Sequence, residues 1–386
     1  MPDRPRIVLA TAPAFGHLYP LMPLAEALVR AGADVHIAVG EPFLGRLPVP
    51  TTRSLPPGLT SLKDLTRAVV SEFPAVRDDP AGRWAPALFG AVVPRAAAPQ
   101  LRQSWAREKP DAVVHEALFP AAGIVADELG VPSYTFGIVR WAPFVGTIRS
   151  VARAALGDDP RPPWALGEPQ PALDVGAGYV DPFPVTLQGV AGLPAARVPI
   201  RTAAWAERAP SFETSLLARP AGGRQRVFVS LGTVFNTAGS LRTAVLGAAR
   251  TGAEVLVACG ADGDPAALGP VPDSVKVHRF VPQALVLPTV DAIVHHGGSG
   301  TMLAAAQHGI PQLVVPQGAD HFVNAAAVTD SGIGLRPDAD TPEGIAAAVG
   351  RLLGDHRFRD AAAAVATEIA AMPSPDDVAR RLLEAF

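Results

Sequence analysis

The stretch Gly32-Ala-Asp-Val-His-Ile-Ala-Val-Gly40 has a close counterpart in Gly252-Ala-Glu-Val-Leu-Val-Ala-Cys-Gly260, with residue numbers that differ by 220. Each apolar run is typical of a buried strand between two turn glycines. The same offset relates an earlier strand, Arg6-Ile-Val-Leu9, to Arg226-Val-Phe-Val229. Because two strand segments match in register, the sequence predicts that one structural unit occurs twice in the chain.

A helix joins the two strands of each copy. In the first copy, Pro20 lies where a first helical turn accepts proline, and the apolar residues that follow recur at helical spacing until Gly32 ends the helix. Strand–helix–strand crossovers connect parallel strands, so each half predicts a doubly wound parallel sheet. The expected fold class is therefore α/β, with two Rossmann-like domains facing each other across a cleft and ligands beyond the carboxyl ends of the strands.

The domain boundaries follow from the repeat and from composition. We expect an amino-terminal domain over residues 1–205, a linker over 206–224 and a second domain over 225–370. Apolar spacing near the carboxyl terminus predicts a helix within 371–386 that packs back toward the first domain. Residues 155–200 are rich in Pro and Gly, and they are interpreted as long loops.

Composition excludes several classes of function. The chain has 386 residues, which suggests two domains, and its net charge of −3 gives no case for nucleic-acid binding. The single cysteine, Cys259, excludes an internal disulfide and a cysteine-based zinc site. No apolar run approaches the roughly 20 residues that cross a bilayer, and the amino terminus has no signal-peptide pattern. We therefore expect a soluble cytoplasmic protein without stable membrane insertion.

The segment Val294-His-His-Gly-Gly-Ser-Gly-Thr301 joins a predicted buried strand to a helix expected over residues 299–307. Its glycines let a ligand approach the backbone, and the helix-start amides and two hydroxyls form an anion site, to which a histidine adds a hydrogen bond or a positive charge. A tight turn with a capping serine is the alternative, but packing hardly explains two adjacent histidines. The turn matches neither the Walker loop nor the G-x-G-x-x-G fingerprint. The predicted diphosphate site consists of His296, Gly297, Gly298, Ser299, Gly300 and Thr301.

A histidine and a glutamate follow two strands of the first domain. His17, in Gly16-His-Leu-Tyr-Pro20, lies just past the first strand, where it can act as a general base near neutral pH. Glu116 ends the segment Pro110-Asp-Ala-Val-Val-His-Glu116 and can accept a hydrogen bond from His17, which would stabilise the imidazolium. Alternation directs His115 elsewhere. A locally packed histidine and a solvated glutamate are the alternatives.

Two loops of the second domain carry further candidates. In Phe280-Val-Pro-Gln283 the aromatic ring can stack on a nucleobase, or it can belong to the core. In the segment Pro316–Asn324, Asp320 can cap the following helix or bind sugar hydroxyls.

Together these segments resemble the family one glycosyltransferases of the GT-B fold, in particular the bacterial enzymes of antibiotic and other natural-product biosynthesis. The resemblance covers nearly the whole chain, and the run of two histidines and two glycines is its most specific part. It rests on Phe15-Gly-His-Leu-Tyr-Pro20, Tyr179-Val-Asp-Pro-Phe-Pro-Val-Thr-Leu-Gln188, Ser230-Leu-Gly-Thr233, Phe280-Val-Pro-Gln283, His295-His-Gly-Gly-Ser-Gly-Thr301 and Pro316-Gln-Gly-Ala-Asp320.

The resemblance implies a division of labour between the domains. The first would bind a small hydrophobic acceptor, with His17 as general base and Glu116 as its partner. The second would bind a nucleotide-diphosphate sugar as co-substrate, without a cofactor or metal. Glu116 stands where an aspartate is common and His321 where a glutamine is common, while Phe280 is usual in bacterial relatives that use thymidine-diphosphate deoxysugars. The implied donor residues are Gly232, Thr233, Phe280, Val281, Gln283, His296, Gly297, Gly298, Ser299, Gly300, Thr301, Asp320 and His321.

The resulting prediction is inverting, metal-independent transfer of a sugar, a deoxysugar in the first instance. The donor is a dTDP- or UDP-sugar, and the acceptor atom is a hydroxyl or an aromatic carbon. Phe89, Trp141 and Phe144 either line the acceptor site or belong to the core. Two other functions stay open: a sugar-nucleotide 2-epimerase, which needs no acceptor, and a non-catalytic nucleotide-sugar-binding helper protein. A homodimer is also left open.

Overall fold

The chain forms two compact units. The computed structural model describes residues 4–78, 80–157, 159–166, 174–189, 192–201, 203, 205, 217–219, 221–232, 237–260 and 263–385. Unit 1 comprises Met1–Pro182, Val190–Ile200 and Pro373–Phe386, and unit 2 comprises Phe183–Gly189 and Arg201–Met372. Residues 206–216 and 220 of the predicted linker lie outside the described residues, and the predicted cleft stays a prediction.

Unit 1 is built on a parallel sheet. Its strands in the described residues are β1 (Arg6–Ala10), β2 (Asp34–Val39), β3 (Thr51–Arg53), β4 (Ala112–Glu116), β5 (Ser133–Phe136), β6 (Gly178–Asp181) and β7 (Arg197–Pro199). They lie in the order β3-β2-β1-β4-β5-β6-β7, and the neighbouring pairs are parallel. The chain order reverses between β1 and β4, so the carboxyl ends of these two strands border the crevice where doubly wound sheets bind ligands.

The helices of unit 1 cover the sheet. Up to residue 156 they are α1 (Phe15–Leu18), α2 (Met22–Arg30), α3 (Leu62–Glu72), α4 (Pro80–Ala87), α5 (Val93–Arg107), α6 (Pro120–Glu128) and α7 (Pro143–Leu156). Pro20 does not open α2 but lies in a 3₁₀ turn, Tyr19–Leu21, that precedes it. Gly32, with φ of +98°, follows α2 in the left-handed conformation that ends many helices. A π-helical turn, Leu88–Val92, joins α4 to α5.

Unit 2 repeats this architecture. Its described strands are β8 (Arg226–Ser230), β9 (Glu254–Ala258), β10 (Val275–His278), β11 (Ala292–His295), β12 (Gln312–Val314) and β13 (Gly334–Leu335), in the order β10-β9-β8-β11-β12-β13. Its described helices are α8 (Val185–Gln188), α9 (Ala238–Ala249), α10 (Gln283–Val286), α11 (Ser299–Gln307), α12 (His321–Asp330), α13 (Pro342–Gly354) and α14 (His356–Ala371).

The two sheets confirm the predicted duplication. β1 pairs with β2 so that Arg6 lies opposite Asp34, and β8 pairs with β9 so that Arg226 lies opposite Glu254. Both registers therefore keep the offset of 220 residues. Both sheets also place their first strand beside their fourth. The α/β class and the two Rossmann-like domains are thus confirmed.

The interpretation of residues 155–200 as long loops is wrong in part. This segment contains β6, α8 and β7, of three or four residues each, which are too short to show a periodic pattern. Asp181, at the end of β6, is fully buried and lies 2.7 Å from the Arg197 Nε atom of β7. Because these two paired residues are charged, the sequence here lacks the apolar pattern of a buried strand, and it does not indicate that the sheet continues.

The carboxyl-terminal helix, α15 (Pro375–Leu383), belongs to unit 1 and packs against α2. Asp376 accepts two hydrogen bonds from the Arg30 guanidinium, at 2.8 and 3.0 Å. Ser374 and Asp377 form a capping box that stabilises the start of the helix. In the described part of the chain, no helix is both long and apolar enough to cross a membrane.

Candidate active site

His17 and Glu116 meet at the carboxyl ends of two neighbouring strands. β1 and β4 pair in parallel, and this brings the His17 Nδ1 atom within 2.9 Å of the Glu116 Oε1 atom. Glu116 is fully buried, which excludes the solvated alternative. Its carboxylate also accepts hydrogen bonds from the backbone N–H groups of Leu118, at 2.6 Å, and Ala12, at 3.4 Å. Three donors therefore converge on this one side chain.

The hydrogen bond decides which nitrogen of His17 is available for chemistry. Because a carboxylate only accepts, Nδ1 of His17 carries the proton and Nε2 keeps its lone pair. The His17 side chain is 14% exposed, so it is largely buried but still accessible to a ligand. Nε2 can therefore take a proton from a hydroxyl, and Glu116 can stabilise the imidazolium that forms.

An aromatic ring borders this imidazole. The ring centroids of Phe89 and His17 are 5.8 Å apart, and their planes differ by 33°. Phe89 belongs to the π-helical turn Leu88–Val92. The next residue, Gly90, packs so closely that a Cβ there would lie 2.6 Å from the Val151 Cγ1 atom. A glycine at position 90 is therefore required for helix α7 to pack closely against the turn that contains Phe89.

Other candidates of unit 1 have different surroundings. His115 is buried beside Arg149, and burial, with the charge of Arg149 contributing, lowers the pKa of His115 to about 3. It is therefore a neutral core residue, whereas the alternation of the strand predicts only that its side chain points elsewhere. Trp141 packs edge-on against Tyr179, with ring centroids 4.9 Å apart. The Phe144 side chain lies outside the described residues.

The glycine-rich turn of unit 2 leads from β11 into α11, which begins at Ser299 as predicted. Gly297 has φ of +99°, a conformation that favours glycine. A Cβ on Gly298 would lie 2.4 Å from the His296 Nε2 atom, whereas a Cβ on Gly300 would meet none of the described residues within 4 Å. The first two glycines are therefore required by backbone and packing, and Gly300 leaves open space at the helix start.

The first turn of α11 keeps its amides available. No side chain in the described residues caps this helix, and the Ser299 hydroxyl instead donates to the Asp320 Oδ2 atom at 2.8 Å. The alternative of a capping serine is therefore wrong. Uncapped N–H groups and the helix dipole together attract an anion. Beside them, the Thr301 hydroxyl oxygen lies 3.4 Å from the Gln283 Nε2 atom.

The two adjacent histidines have different surroundings. His295 is fully buried; its Nε2 donates to the Gln312 Oε1 atom at 2.9 Å, and its Nδ1 accepts from the Gly297 N–H at 3.1 Å. Burial lowers its pKa to about 4, so it shapes the turn as a neutral ring. The Nδ1 atom of His296 is enclosed and has no hydrogen-bond partner among the described residues. Burial, with His321 and His295 contributing, lowers the pKa of His296 to about 3, which favours a hydrogen bond over a positive charge.

A buried asparagine connects the acidic loop to the glycine-rich turn. The Nδ2 atom of Asn324 lies 2.8 Å from Asp320 Oδ2 and also donates to the Gly297 carbonyl at 2.7 Å. The Asp320 side chain makes no capping hydrogen bond to α12 within the described residues, so the capping alternative is wrong. Asn324 was not predicted, although its spacing of four residues from Asp320 places both on one helix face.

The other predicted donor residues differ in exposure. Phe280 is 54% exposed, which excludes the core-packing alternative. Val281 is only 3% exposed, and its side chain packs in the hydrophobic core. Gly232 has φ of +78°, and a Cβ there would lie 2.8 Å from the His296 ring. Thr233 lies outside the described residues.

His321 is the first residue of α12 and is buried. Its Nδ1 atom accepts hydrogen bonds from the backbone N–H groups of Gln317, at 3.2 Å, and Gly318, at 3.1 Å. Its ring meets the His296 ring edge-on, with centroids 4.6 Å apart and planes at 87°. Although histidines gather here, no group of three or more His, Cys, Asp or Glu side chains that could hold a metal ion occurs in the described part of the chain.

Comparison with known sequences finds close relatives along the whole chain. The family described as "Erythromycin biosynthesis protein CIII-like, C-terminal domain" matches residues 243–385. The elloramycin glycosyltransferase ElmGT of Streptomyces olivaceus is 35% identical over 398 residues, which cover 99% of this chain and 97% of the relative. The L-demethylnoviosyl transferase of Streptomyces niveus is 34% identical over 391 residues, which cover 98% of this chain and 97% of the relative.

Solved structures share the fold over the same length. The glycosyltransferase SnogD from Streptomyces nogalater superimposes with a TM-score of 0.78 at 26% identity, and the match covers 99% of both chains. The glycosyltransferase VinC, solved in complex with dTDP, superimposes with a TM-score of 0.73 at 25% identity over 98% of both chains.

Proposed function

Since the chain belongs to the glycosyltransferases of antibiotic biosynthesis, we propose that it transfers a sugar from a dTDP- or UDP-sugar to a small hydrophobic natural product. The acceptor atom is a hydroxyl or an aromatic carbon, the transfer inverts the anomeric centre, and it uses neither a metal ion nor a resident cofactor. The observation that carries this proposal is the contact between His17 and Glu116, which prepares Nε2 of His17 as a general base.

The donor diphosphate binds at the start of α11 in this proposal. The uncapped amides of the first turn, the open space beside Gly300 and the enclosed Nδ1 atom of His296 support it. A diphosphate carries the negative charge that a helix start favours, and His296 can give it a hydrogen bond as a neutral ring. Thymidine diphosphate is the first nucleotide to test, because VinC, which shares the fold at 25% identity, was solved with dTDP.

The remaining donor contacts are assigned by exposure and chemistry. The exposed Phe280 ring stacks on the nucleobase, with Gln283 near the ribose and only the backbone of Val281 taking part. Asp320 binds sugar hydroxyls. The residues proposed to lie beside the phosphates or the sugar are Gly232, Thr233, Gly297, Gly298, Ser299, Gly300, Thr301 and His321.

For a hydroxyl acceptor, the proposed transfer is a single displacement. Nε2 of His17 takes the acceptor proton while the acceptor oxygen bonds to the anomeric carbon. The bond between that carbon and the diphosphate oxygen breaks in line, and its electron pair leaves with the diphosphate. Glu116 stabilises the imidazolium, and the α11 amides with His296 stabilise the departing negative charge. Phe89, beside the imidazole, supplies an apolar wall for the acceptor.

The decisive experiment is a donor and acceptor screen with mass detection. The proposal expects an acceptor whose mass rises by one sugar residue, and nucleoside diphosphate released only when the acceptor is present. Conversion of the donor without any acceptor would instead identify a 2-epimerase. Donor binding without turnover of any acceptor would favour the helper protein and overturn the proposed transfer.

A further inference from the structure

His321 closes the tight turn that precedes α12. Its Nδ1 atom accepts both turn amides, those of Gln317 and Gly318. The proton of the neutral ring therefore sits on Nε2. The same turn holds Ala319 at φ of +49°, a conformation that residues other than glycine seldom adopt. Two hydrogen bonds to one buried nitrogen thus help hold a turn that is unfavourable by itself.

The turn positions a carboxylate. Asp320 directly follows Ala319, and its Oδ2 atom lies 2.8 Å from both the Ser299 hydroxyl and the Asn324 amide. If the turn relaxed, Asp320 would leave the start of α11. The nitrogen of His321 therefore acts on Asp320 through the backbone.

The ring of His321 has a second neighbour. It stands edge-on against His296, and Gly298 and Gly232 pack on the same His296 ring. These neighbours, together with the Ser230 backbone, help to set where the His296 ring lies. The ring of His321 therefore acts on His296 by packing.

We propose that His321 is a positioning residue with two separable tasks, and that it does not itself contact the sugar. Its Nδ1 atom holds Asp320 in place for the sugar, and its ring orients His296 for the diphosphate. This inference rests on the proposed function of the same site, and it replaces direct donor contact as the role of His321. A side chain that is only 4% exposed has little surface to offer a ligand.

Two substitutions separate the tasks. The His321→Asn amide oxygen can occupy the place of Nδ1 and keep the turn, but it removes the ring. The His321→Phe ring keeps the packing against His296, but it leaves both turn amides without their acceptor. We therefore expect His321→Asn to weaken binding of thymidine diphosphate about 5- to 20-fold, while His321→Phe changes it less than about threefold. We expect kcat with the accepted dTDP-sugar to fall about 10-fold or more in His321→Phe, because Asp320 is no longer held in place, and to fall by less in His321→Asn, where only the contribution of His296 to the departing charge is weakened.

Binding is measured by titration calorimetry and kcat by the transfer assay, with acceptor KM expected to stay unchanged in both variants. His356→Asn, on the exposed side of α14, is the matched control and should behave as wild type. Equal losses in both variants, or no loss in either, would overturn the division of tasks. His296→Ala tests the diphosphate site separately: wild-type affinity for thymidine diphosphate in that variant would refute the proposed function of the site, not only the role of His321.

A measurement on the wild type covers the case in which a variant does not fold. Nitrogen-15 spectra of the labelled histidines report which ring nitrogen carries the proton. His321 should show an unprotonated Nδ1 and a protonated Nε2 at pH 7. A proton on Nδ1 would contradict the proposed contact with the turn.

Discussion

Replacing Glu116 by glutamine tests the proposed base directly, because it removes one charge without changing the shape. Both carboxylate oxygens now accept: Oε1 from His17 Nδ1 at 2.9 Å and from Ala12 N–H at 3.4 Å, and Oε2 from Leu118 N–H at 2.6 Å. An amide has only one accepting atom. The glutamine must therefore turn its NH₂ group toward one of these donors.

The distances indicate which orientation is preferred. An NH₂ group facing the Leu118 N–H would replace the shortest hydrogen bond by a contact between two donors, which costs about 1–3 kcal/mol. The opposite orientation loses only the long contact to Ala12 and donates to His17 Nδ1. This forces the proton of His17 onto Nε2, where it blocks proton uptake. We therefore expect kcat for a hydroxyl acceptor to fall about 10²–10⁴-fold in Glu116→Gln.

The assay is steady-state transfer, with thermal unfolding and thymidine diphosphate binding as controls. Glu116→Asp keeps the charge on a shorter side chain, so its kcat should lie between those of wild type and Glu116→Gln. His17→Ala should lose as much activity as Glu116→Gln, and the double variant should lose no more than His17→Ala alone, because both changes disable one unit. Losses that multiply in the double variant, or Glu116→Gln turnover within about threefold of wild type, would refute the reasoning.

Three further predictions follow from single contacts. In Gly300→Ala the added Cβ points into open space, so the melting temperature should not fall, while calorimetry should show thymidine diphosphate binding weakened at least about fivefold; unchanged affinity would contradict a close approach of phosphate. Phe89→Leu should raise acceptor KM about 3- to 10-fold in the transfer assay and leave donor KM unchanged, and the reverse pattern would exclude Phe89 from the acceptor site. His115 and His295 have folded-state pKa values of about 3 and about 4, well below their unfolded value, so the unfolded chain binds more protons as pH falls below about 6.5. In denaturant titrations, protonation of each of these two histidines in the unfolded chain should lower the unfolding free energy by about 2 kcal/mol between pH 7 and pH 5. Equal stability at both pH values would contradict their burial as neutral rings.

Much of the fold was predictable because it rests on local patterns. The repeated strands are apolar runs bounded by glycines, and their offset of 220 residues survives in the strand pairing. The start of α11 at Ser299 follows from the glycines before it. The contact between His17 and Glu116 was predictable for a topological reason, since parallel neighbouring strands end at one edge of the sheet.

The parts that were not predictable depend on contacts between distant residues. β7 has three residues and the fully buried Asp181 of β6 is charged, so neither local periodicity nor hydrophobicity marks that edge of the sheet. Ser299 and Asp320 are 21 residues apart, and only the fold shows that the Ser299 hydroxyl reaches the Asp320 carboxylate. The different surroundings of His295 and His296 likewise become visible only when the partners of each ring are known.

The two units place their candidate residues at the same topological position. In each sheet the chain order reverses between the first and fourth strands, β1 and β4 in unit 1 and β8 and β11 in unit 2. His17 and Glu116 lie at the ends of the first pair, and Gly232 and His296 lie at the ends of the second. Connections leave a sheet in opposite directions at such a point, so the strand ends stay uncovered and a side chain there can be reached by a ligand. Duplication of one fold thus provides two equivalent crevices. In the proposed function, the buried charge partner adapts the first to proton transfer, and the uncapped helix amides adapt the second to an anion.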